Sequence, residues 1–360
     1  MSPIPVRASP SAHVRRPPMP RHPCPPDTGK ASEVPAMNHD SQNTTERPKH
    51  MKGAERRRRT LRTATALAGA ALLLAGVQGP AVAAPSPAGP TTAATAETSH
   101  TVELTSTAEA LTAPATTRPG LTTFHASTTQ AGKGWIGLAR LKDGKSWDDF
   151  RDVLSRALSN TPSDVPQGAK DLDDTATLLG GLVIHPGQPG SFTQRLQPGT
   201  YLLFDYLTVG DAQPRHRPLT VTGDAVDQGL APTATIVSRN VPGAGPRFEI
   251  RGALRAGRPL RYVNEIPGQV NELLFVKIAD GTTEADLRAY FASMPDDGTF
   301  PPNSPFTSVS LGSLHLSTGR SSVVQVPLER DRYAAITWSK DATDGIKLVK
   351  KGLFTIVDVG

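Results

Sequence analysis

The chain has 360 residues, enough for two or three domains, and its 39 basic against 33 acidic side chains give a net charge of +6. That positive charge is confined to the start, because residues 1–83 carry 13 basic and 5 acidic side chains while residues 84–360 carry 26 and 28, a net charge of −2. The balance of the later part argues against nucleic-acid binding. Cys24, the single cysteine, lies in the first part, which excludes disulfides, a thiolate nucleophile and a thiolate metal ligand from residues 84–360.

Residues 51–83 have the three parts of a secretory signal peptide. A basic run that ends at Arg62 precedes an apolar stretch over 63–76, and Ala81-Val82-Ala83 matches the small-residue cleavage pattern. A membrane-anchoring helix is the alternative, but the apolar stretch is short for a bilayer. We therefore expect a protein that is secreted or associated with the cell envelope, with no membrane span after removal of the signal.

Two low-complexity segments flank this signal peptide. Residues 1–50 are rich in Pro, Arg, Ser and Thr, show no apolar periodicity and are predicted to be disordered. Because a signal peptide normally begins a protein, we expect translation to start at Met51, which makes residues 1–50 an untranslated upstream extension. Residues 84–100 are rich in Ala, Thr, Pro and Ser, a composition typical of a flexible linker.

Residues 101–223 show the pattern of a β-domain with one helix. Ser146 is a typical helix N-cap, Asp149 lies three residues further on, and apolar residues at helical spacing predict an amphipathic helix over about 147–159. A loop is predicted from there to about residue 175. Alternating or continuous apolar residues predict strands near 102–104, 121–124, 135–141, 182–184, 192–196, 201–206 and 219–221.

The remaining residues, 224–360, repeat this plan. An offset of 137 residues aligns the turn and helix start of the two halves, because Asp280, Gly281, Thr283 and Asp286 fall on Asp143, Gly144, Ser146 and Asp149. An offset of 132 residues aligns the later strands, because Gly312, Leu314, Leu316, Leu328 and Tyr333 fall on Gly180, Leu182, Ile184, Leu196 and Tyr201. We interpret the repeat as a tandem duplication, with two coincidentally similar β-domains as the alternative.

Three stretches carry a resemblance to a known family. They are the Pro-Gly-Thr-Tyr turn and strand at 198–206, its counterpart at 331–338, and the segment Val-Asn-Glu-Leu-Leu-Phe-Val-Lys at 270–277. These stretches are similar to those of the secreted cupredoxin-like (plastocyanin- and azurin-type) bacterial proteins. The resemblance implies a mainly β fold of two tandem cupredoxin-like Greek-key β-sandwiches, each with one amphipathic helix, over residues 101–223 and 224–360.

In that family two histidines, a cysteine and a methionine bind copper, and most of these positions are substituted here. In the second half the resemblance places them on Asn271, Thr337, Leu348 and Leu353. In the first half it places them on Gly134, Asp205 and His216, and no methionine follows. One imidazole cannot hold copper where three strong ligands are needed. The resemblance therefore implies the family's fold without its electron transfer, and we expect no cofactor.

Two functions of different classes remain. The first is a secreted, non-catalytic binding or structural protein, monomeric, whose partner is an envelope protein or a cell-wall polymer. The alternative is a metal-binding protein or metal-dependent enzyme with a site of another type near Asp205 and His216. Against that alternative, His216 also fits a surface position and Asp205 fits an acid that caps a loop.

Other candidate sites have simpler explanations. Asp171, Asp173 and Asp174 lack the spacing of a calcium-binding loop and are expected in a solvated loop. No serine lies in a nucleophile-elbow motif, so no catalytic residue is assigned. The aromatic helix faces are expected to pack onto a sheet rather than line a ligand pocket, and they contain Trp147, Phe150, Tyr290 and Phe291.

Overall fold

The computed structural model of the protein describes residues 100–295 and 299–360. The predicted upstream extension (1–50) and signal peptide (51–83) lie outside the described residues, as does the predicted linker (84–100) apart from His100. In the described part of the chain, no helix is both long and apolar enough to cross a membrane.

Most of the described residues belong to β-strands. The strands are β1 Thr101–Ser106, β2 Leu111–Thr112, β3 Thr116–Thr117, β4 Gly120–Thr128, β5 Gly134–Leu141, β6 Ala176–Ile184, β7 Gly190–Leu196, β8 Gly199–Asp205, β9 His216–Val221, β10 Ala234–Val241, β11 Gly245–Gly252, β12 Leu260–Asn264, β13 Asn271–Lys277, β14 Leu311–Leu316, β15 Arg320–Gln325, β16 Asp331–Ile336 and β17 Phe354–Val359. The helices are α1 Trp147–Ala157, α2 Val165–Thr175 and α3 Glu284–Ser293. The predicted mainly β fold is confirmed.

The strands form two stacked sheets. Sheet 1 has the order β11-β10-β12-β15-β7-β4-β1-β2, and sheet 2 has the order β17-β16-β13-β14-β6-β5-β8-β9-β3. In the middle of each sheet a strand of the first half pairs antiparallel with a strand of the second, β7 with β15 and β6 with β14. Both sheets therefore run without interruption through the two halves.

The strand orders are close to palindromes. Each half contributes a parallel pair to sheet 1, β1 with β4 and β10 with β12. Each half also contributes a strand flanked by two antiparallel neighbours to sheet 2, β5 between β6 and β8, and β13 between β14 and β16. The two halves thus have matching topologies that meet at the central pairs.

Two apolar clusters hold this architecture together. One fills the space between the sheets and includes the stacked rings of Phe124 and Phe192, whose centroids are 4.7 Å apart. The other lies between sheet 2 and the helices, where the Phe150 ring meets Phe204 at 5.1 Å and the buried Phe291 belongs to the same cluster. The aromatic helix faces pack onto the sheet, as predicted.

Helices α1 and α3 begin where the sequence predicts them, for a local reason. Ser146 and Thr283 each accept a hydrogen bond from the backbone of the residue three positions on. The carboxylate of that residue, Asp149 or Asp286, in turn accepts a hydrogen bond from the backbone N–H of the cap. Such a reciprocal capping box satisfies two backbone donors at a helix start and is fixed by four residues of sequence.

The prediction of a loop up to residue 175 is wrong, because Val165–Thr175 form helix α2. Its buried residues are Val165, Gly168, Leu172 and Thr175, which lie on one face. Only two of them are large and apolar, and Pro166 and Gly168 suggested a loop. Pro166, however, occupies the first turn, where a proline costs no hydrogen bond.

Candidate functional site

Asp205 ends β8, and its carboxylate lies between the sheets at one tip of the first half, fully buried. Four groups donate hydrogen bonds to it. Oδ2 accepts from Ser106 Oγ (3.1 Å), Gln130 Nε2 (3.3 Å) and Arg215 Nη2 (2.9 Å), and Oδ1 accepts from the backbone N–H of Leu207 (3.1 Å). The carboxylate oxygens are thus already satisfied by the protein itself.

Arg215 supplies the opposite charge. Its side chain is only 11% exposed, and the guanidinium also donates to the carbonyl of Ala108 at 2.7 Å and to Gln130 Oε1 at 3.0 Å. A buried carboxylate needs such a partner, because an unpaired charge in the interior is very costly. A cation at Asp205 would have to displace this arginine.

His216 points to the other face of sheet 2. It lies opposite Phe204 in the β8–β9 ladder, and side chains alternate between faces along a strand, so Asp205 and His216 project to opposite sides. The His216 ring stacks on Trp147 of α1 with a centroid distance of 4.0 Å and an interplanar angle of 6°, and its Nδ1 lies 3.1 Å from the carbonyl of Pro214. The structure does not bring these two candidates together.

Gly134, the third position carried over in the first half, has no side chain to offer. It begins β5, and a Cβ atom there would lie 3.1 Å from Ile184 and 3.4 Å from Thr128. A side chain at this position would therefore press on Ile184 and Thr128, which would have to shift slightly to accept it.

In the second half the carried-over positions do lie close together. Thr337 Oγ1 donates to Asn271 Oδ1 at 2.8 Å, and both residues are fully buried. Thr337 Oγ1 also accepts the backbone N–H of Ser339 at 3.0 Å. The carbonyl of Ser339 in turn accepts the N–H of Leu348 at 2.9 Å. A continuous hydrogen-bonded path thus joins three of the four positions.

Leu348 and Leu353 complete this end of the second half. The backbone N–H of Leu353 donates to the carbonyl of Leu348 at 3.0 Å, so the two leucines close one turn. Both are buried in the cluster between the sheets. We call the set Asn271, Thr337, Leu348 and Leu353 the filled tip.

The residues at both tips do not fit a copper ion of the family's type. Such a site uses two imidazoles and a thiolate, with a weak thioether ligand. The filled tip offers an amide, a hydroxyl and two hydrocarbon side chains. The first half offers an ion-paired carboxylate and an imidazole on the wrong face of the sheet.

A buried polar cluster that the sequence did not indicate lies where the two halves meet. Glu272 accepts the backbone N–H of Trp338 at 2.8 Å through Oε1, and its Oε2 lies 3.9 Å from His315 Nε2. The ring of Tyr206, from the first half, lies 5.3 Å from the His315 ring. Glu272 Oε2, His315 Nδ1 and the Tyr206 hydroxyl are buried without a hydrogen-bond partner among the described residues. We call these three residues the seam cluster.

Burial determines the protonation of this cluster. Desolvation raises the pKa of Glu272 to about 7, against a smaller opposing effect of Trp338 and Lys347. Desolvation also lowers the pKa of His315 to about 4. Both shifts favour the neutral forms, and 3.9 Å is too long for a hydrogen bond, so the pair is not an ion pair near neutral pH.

Lys340 lies at the same junction, and its side chain forms hydrogen bonds from the second half to the first. Its ammonium donates to the carbonyl of Ser159 and to Asn160 Oδ1 at 2.9 Å, both just beyond the end of α1. Burial, with the nearby charge of Lys347, lowers the pKa of Lys340 to about 8. A cation at a helix C-terminus is favourably placed relative to the helix dipole.

The remaining sequence candidates do not converge. Asp171, Asp173 and Asp174 lie on α2 and not in a loop, and Asp171 pairs with Arg156 of α1 at 2.7 Å. Among the described residues, no group of three or more His, Cys, Asp or Glu side chains is arranged to hold a metal ion.

Comparison with known proteins gives structural likeness at low similarity. No protein-family model matches the chain, and no curated protein matches it. An auracyanin B structure shares 19% identity, covers 38% of this chain and 93% of its own, and gives a TM-score of 0.22. Reduced auracyanin from the photosynthetic bacterium Roseiflexus castenholzii is 15% identical, and the match covers 37% of this chain and 99% of the auracyanin, with a TM-score of 0.23. The copper-containing nitrite reductase from Thermus scotoductus is 12% identical, and the match covers 72% of this chain and 61% of the reductase, with a TM-score of 0.20. With TM-scores this low, nothing about the activity or cofactor of this chain follows from these neighbours.

Proposed function

We propose that this chain is an exported, non-catalytic binding or structural protein, built on a duplicated cupredoxin-like scaffold whose ligand positions have been replaced. The observation that supports the proposal is the filled tip, in which a buried Thr337–Asn271 hydrogen bond and two buried leucines lie at the positions that the resemblance assigns to the four ligands. These side chains stabilise the tip by packing and hydrogen bonding instead of by binding an ion.

The matching topologies support the duplication. Each half supplies the same strand neighbours and the same capped helix, and the two halves meet at the β6–β14 and β7–β15 pairs. A duplicated unit that joins its copy along both sheets buries four edges that would otherwise be open to other chains. The result is a rigid platform, and function on such a platform belongs to its loops and exposed faces.

A copper titration tests the loss of the site. The substitutions Asn271→His, Thr337→Cys, Leu348→His and Leu353→Met place the family's four ligand types at the filled tip. We expect the unsubstituted protein to show no saturable thermal shift with Cu²⁺, and the fourfold variant to gain a stoichiometric, intensely coloured site. Stoichiometric copper on the unsubstituted protein, lost on His216→Ala, would contradict the proposal in favour of a site in the first half.

Export is tested separately. Expression of the gene in a bacterial host that secretes it, followed by N-terminal sequencing of the secreted protein, is expected to find Ala84 or a neighbouring residue. A cytoplasmic product that retains residue 1 would contradict the signal peptide and leave the copper result unaffected.

A further inference from the structure

Positive charge is concentrated at one corner of the second half, although residues 84–360 together are slightly acidic. Residues 234–261 contain six arginines and one acid, Glu249. Four of the arginines lie within residues 251–261 and are exposed, and we call them the arginine corner: Arg251, Arg255, Arg258 and Arg261.

The fold brings these four residues close together. Arg251 and Arg261 both pair with Thr235 of β10, which lies between them in sheet 1. They are therefore two strand spacings apart, about 10 Å, and project to the same face. Arg255 and Arg258 lie in the turn that connects β11 to β12, where the N–H of Arg258 donates to the carbonyl of Arg255 at 3.1 Å.

The turn that presents them is anchored to the sandwich. The backbone N–H groups of Ala256 and Gly257 donate to the carbonyls of Gly360 at 2.9 Å and Leu328 at 3.1 Å. The side chain of Gln325 donates to the carbonyl of Gly257 at 2.8 Å. A turn held at three points presents its charges without a large loss of backbone freedom on binding.

Most of this charge is not neutralised within the protein. Glu249 pairs with Arg239 at 2.9 Å and with Arg251 at 2.8 Å, which uses both of its oxygens. The guanidinium groups of Arg255, Arg258 and Arg261 form no ion pair with any described residue. Glu249 and, more weakly, Glu265 act on Arg251, so its charge is partly compensated, whereas Arg255, Arg258 and Arg261 remain for anionic groups that arginine can bind with two hydrogen bonds.

The corner lacks the features of a nucleic-acid site. Its two nearby aromatic residues, Phe248 and Tyr262, are buried, so no ring is exposed on which a base could stack. It also presents strands and a turn, with no helix that could enter a groove. The surface therefore fits a linear chain of anionic groups without bases.

The opposite side of the molecule has the opposite charge. A groove of about 570 Å³ between α1 and α2 is lined by five aspartates and two cations, Lys145 and Arg156, which leaves it with a net negative charge; the aspartates are Asp148, Asp149, Asp152, Asp171 and Asp174. These helices cover sheet 2, whereas the arginine corner lies on sheet 1. An anionic polymer is repelled from one side and attracted to the other, which fixes the orientation of the protein on it.

We propose that the arginine corner binds a linear phosphodiester polymer of the cell envelope, such as a polyol phosphate chain. This proposal names the partner class of the binding function above and rests on the export of the protein. The turn at 255–258 and the row formed by Arg251 and Arg261 hold successive phosphates of one chain.

The experiment measures binding of fluorescent poly(glycerol phosphate) to the full secreted protein as a function of salt. Four phosphate contacts predict a slope of log K against log salt of about −2.8. The triple variant Arg255→Gln, Arg258→Gln, Arg261→Gln removes three contacts, so we expect a slope near −0.7 and an affinity roughly 100-fold lower at low salt.

Two further variants provide matched comparisons. The double variant Lys142→Gln, Lys145→Gln removes two exposed cations at the turn before α1, away from the corner, and is expected to change the affinity less than about twofold. Glu249→Gln releases Arg239 and Arg251 from their shared carboxylate and is expected to strengthen binding. Because the triple variant removes no ion pair with a described residue, its thermal midpoint should match that of the unsubstituted protein.

Three results would overturn the proposal. One is an unchanged slope in the triple variant. Another is tighter binding of single-stranded DNA of equal charge than of poly(glycerol phosphate), which would assign the corner to nucleic acid. The third is a concentration-dependent dimer at low salt that the triple variant abolishes, without polymer binding, which would assign the corner to the acidic groove of a second copy. None of these assays depends on the copper titration or on N-terminal sequencing, so the two proposals can fail independently.

Discussion

At the scale of single residues, the stability of the first-half tip depends on one buried ion pair. Asp205 is fully buried and Arg215 is nearly so. Replacing one partner leaves the other charged group without compensation, and this loss is much larger than the net contribution of the intact pair.

The variant Asp205→Ala is expected to lower the free energy of unfolding by about 3–5 kcal/mol, as measured by urea denaturation. The double variant Asp205→Leu, Arg215→Met removes both charges and should recover most of that loss. As a control, Asp227→Ala removes a pair with Arg195 whose side chains are both more than half exposed, and should cost less than about 1 kcal/mol. A double variant as unstable as Asp205→Ala would contradict the role of the uncompensated charge.

The seam cluster gives stability two opposing pH dependences. The folded-state pKa of Glu272 is about 7, above its ordinary 4.5, so the folded protein holds an extra proton between these values and becomes less stable as the pH rises through them. The folded-state pKa of His315 is about 4, below its ordinary 6.5, so the unfolded chain holds the extra proton and stability falls as the pH drops from 6.5 towards 4.

Single variants should separate these two effects. The variant Glu272→Gln keeps only the His315 effect. Its free energy of unfolding should therefore increase as the pH is raised from about 4 to 6.5. The variant His315→Gln keeps only the Glu272 effect. Its free energy of unfolding should therefore decrease as the pH is raised from about 4.5 to 7. Each change is on the order of 3 kcal/mol and is read from denaturant midpoints across the pH range. Parallel pH profiles for the two variants would show that the cluster is not the source.

At the scale of elements, features that depend on residues close in sequence could be predicted, and features that depend on residues far apart in sequence could not. The capping boxes of α1 and α3 depend on residues three positions apart, so the sequence alone placed both helix starts. Helix α2 depends on its contact with α1, and its own pattern is weak. The same reasoning applies to the sites. The proximity of Asn271 and Thr337 follows from the resemblance, whereas the seam cluster joins residues of two strands and one turn whose positions in the sequence show no common spacing.

Gly168 shows how closely α2 packs on α1. A Cβ atom at this position would lie 2.5 Å from the backbone nitrogen of Ala157 and 2.6 Å from the carbonyl carbon of Arg156. These are backbone atoms that cannot rotate away, so the two helices must separate to accept any side chain.

The substitution Gly168→Ala should therefore destabilise the protein by about 1–3 kcal/mol, although the same change inside an isolated helix stabilises it by about 1 kcal/mol. The measurement is the free energy of unfolding in urea. Gly132→Ala is the control, because nothing lies within 4 Å of a Cβ atom there, and it should change stability by less than about 1 kcal/mol. A stabilising effect of Gly168→Ala would mean that the two helices do not pack this closely in solution.

At the scale of the whole molecule, the central strand pairs decide whether the halves unfold separately. The β6–β14 and β7–β15 pairs carry both sheets across the junction, and one apolar cluster between the sheets includes residues of both halves. Separating the halves would expose four strand edges and part of that cluster at once. A local opening of one half therefore costs nearly as much as global unfolding.

We expect a single calorimetric transition whose van't Hoff and calorimetric enthalpies agree, since agreement of the two is the sign of one cooperative unit. Phe124→Leu lies in the first half and Phe275→Leu in the second, and both side chains are fully buried. Each substitution should move the whole transition down, by about 2–4 °C for every kcal/mol lost. Two independent sandwiches would behave differently, because each substitution would then shift one component and leave the other in place. The double variant gives the decisive comparison. In one cooperative unit its shift is close to the sum of the two single shifts, because the residues lie in different halves and on different sheets, Phe124 on β4 and Phe275 on β13.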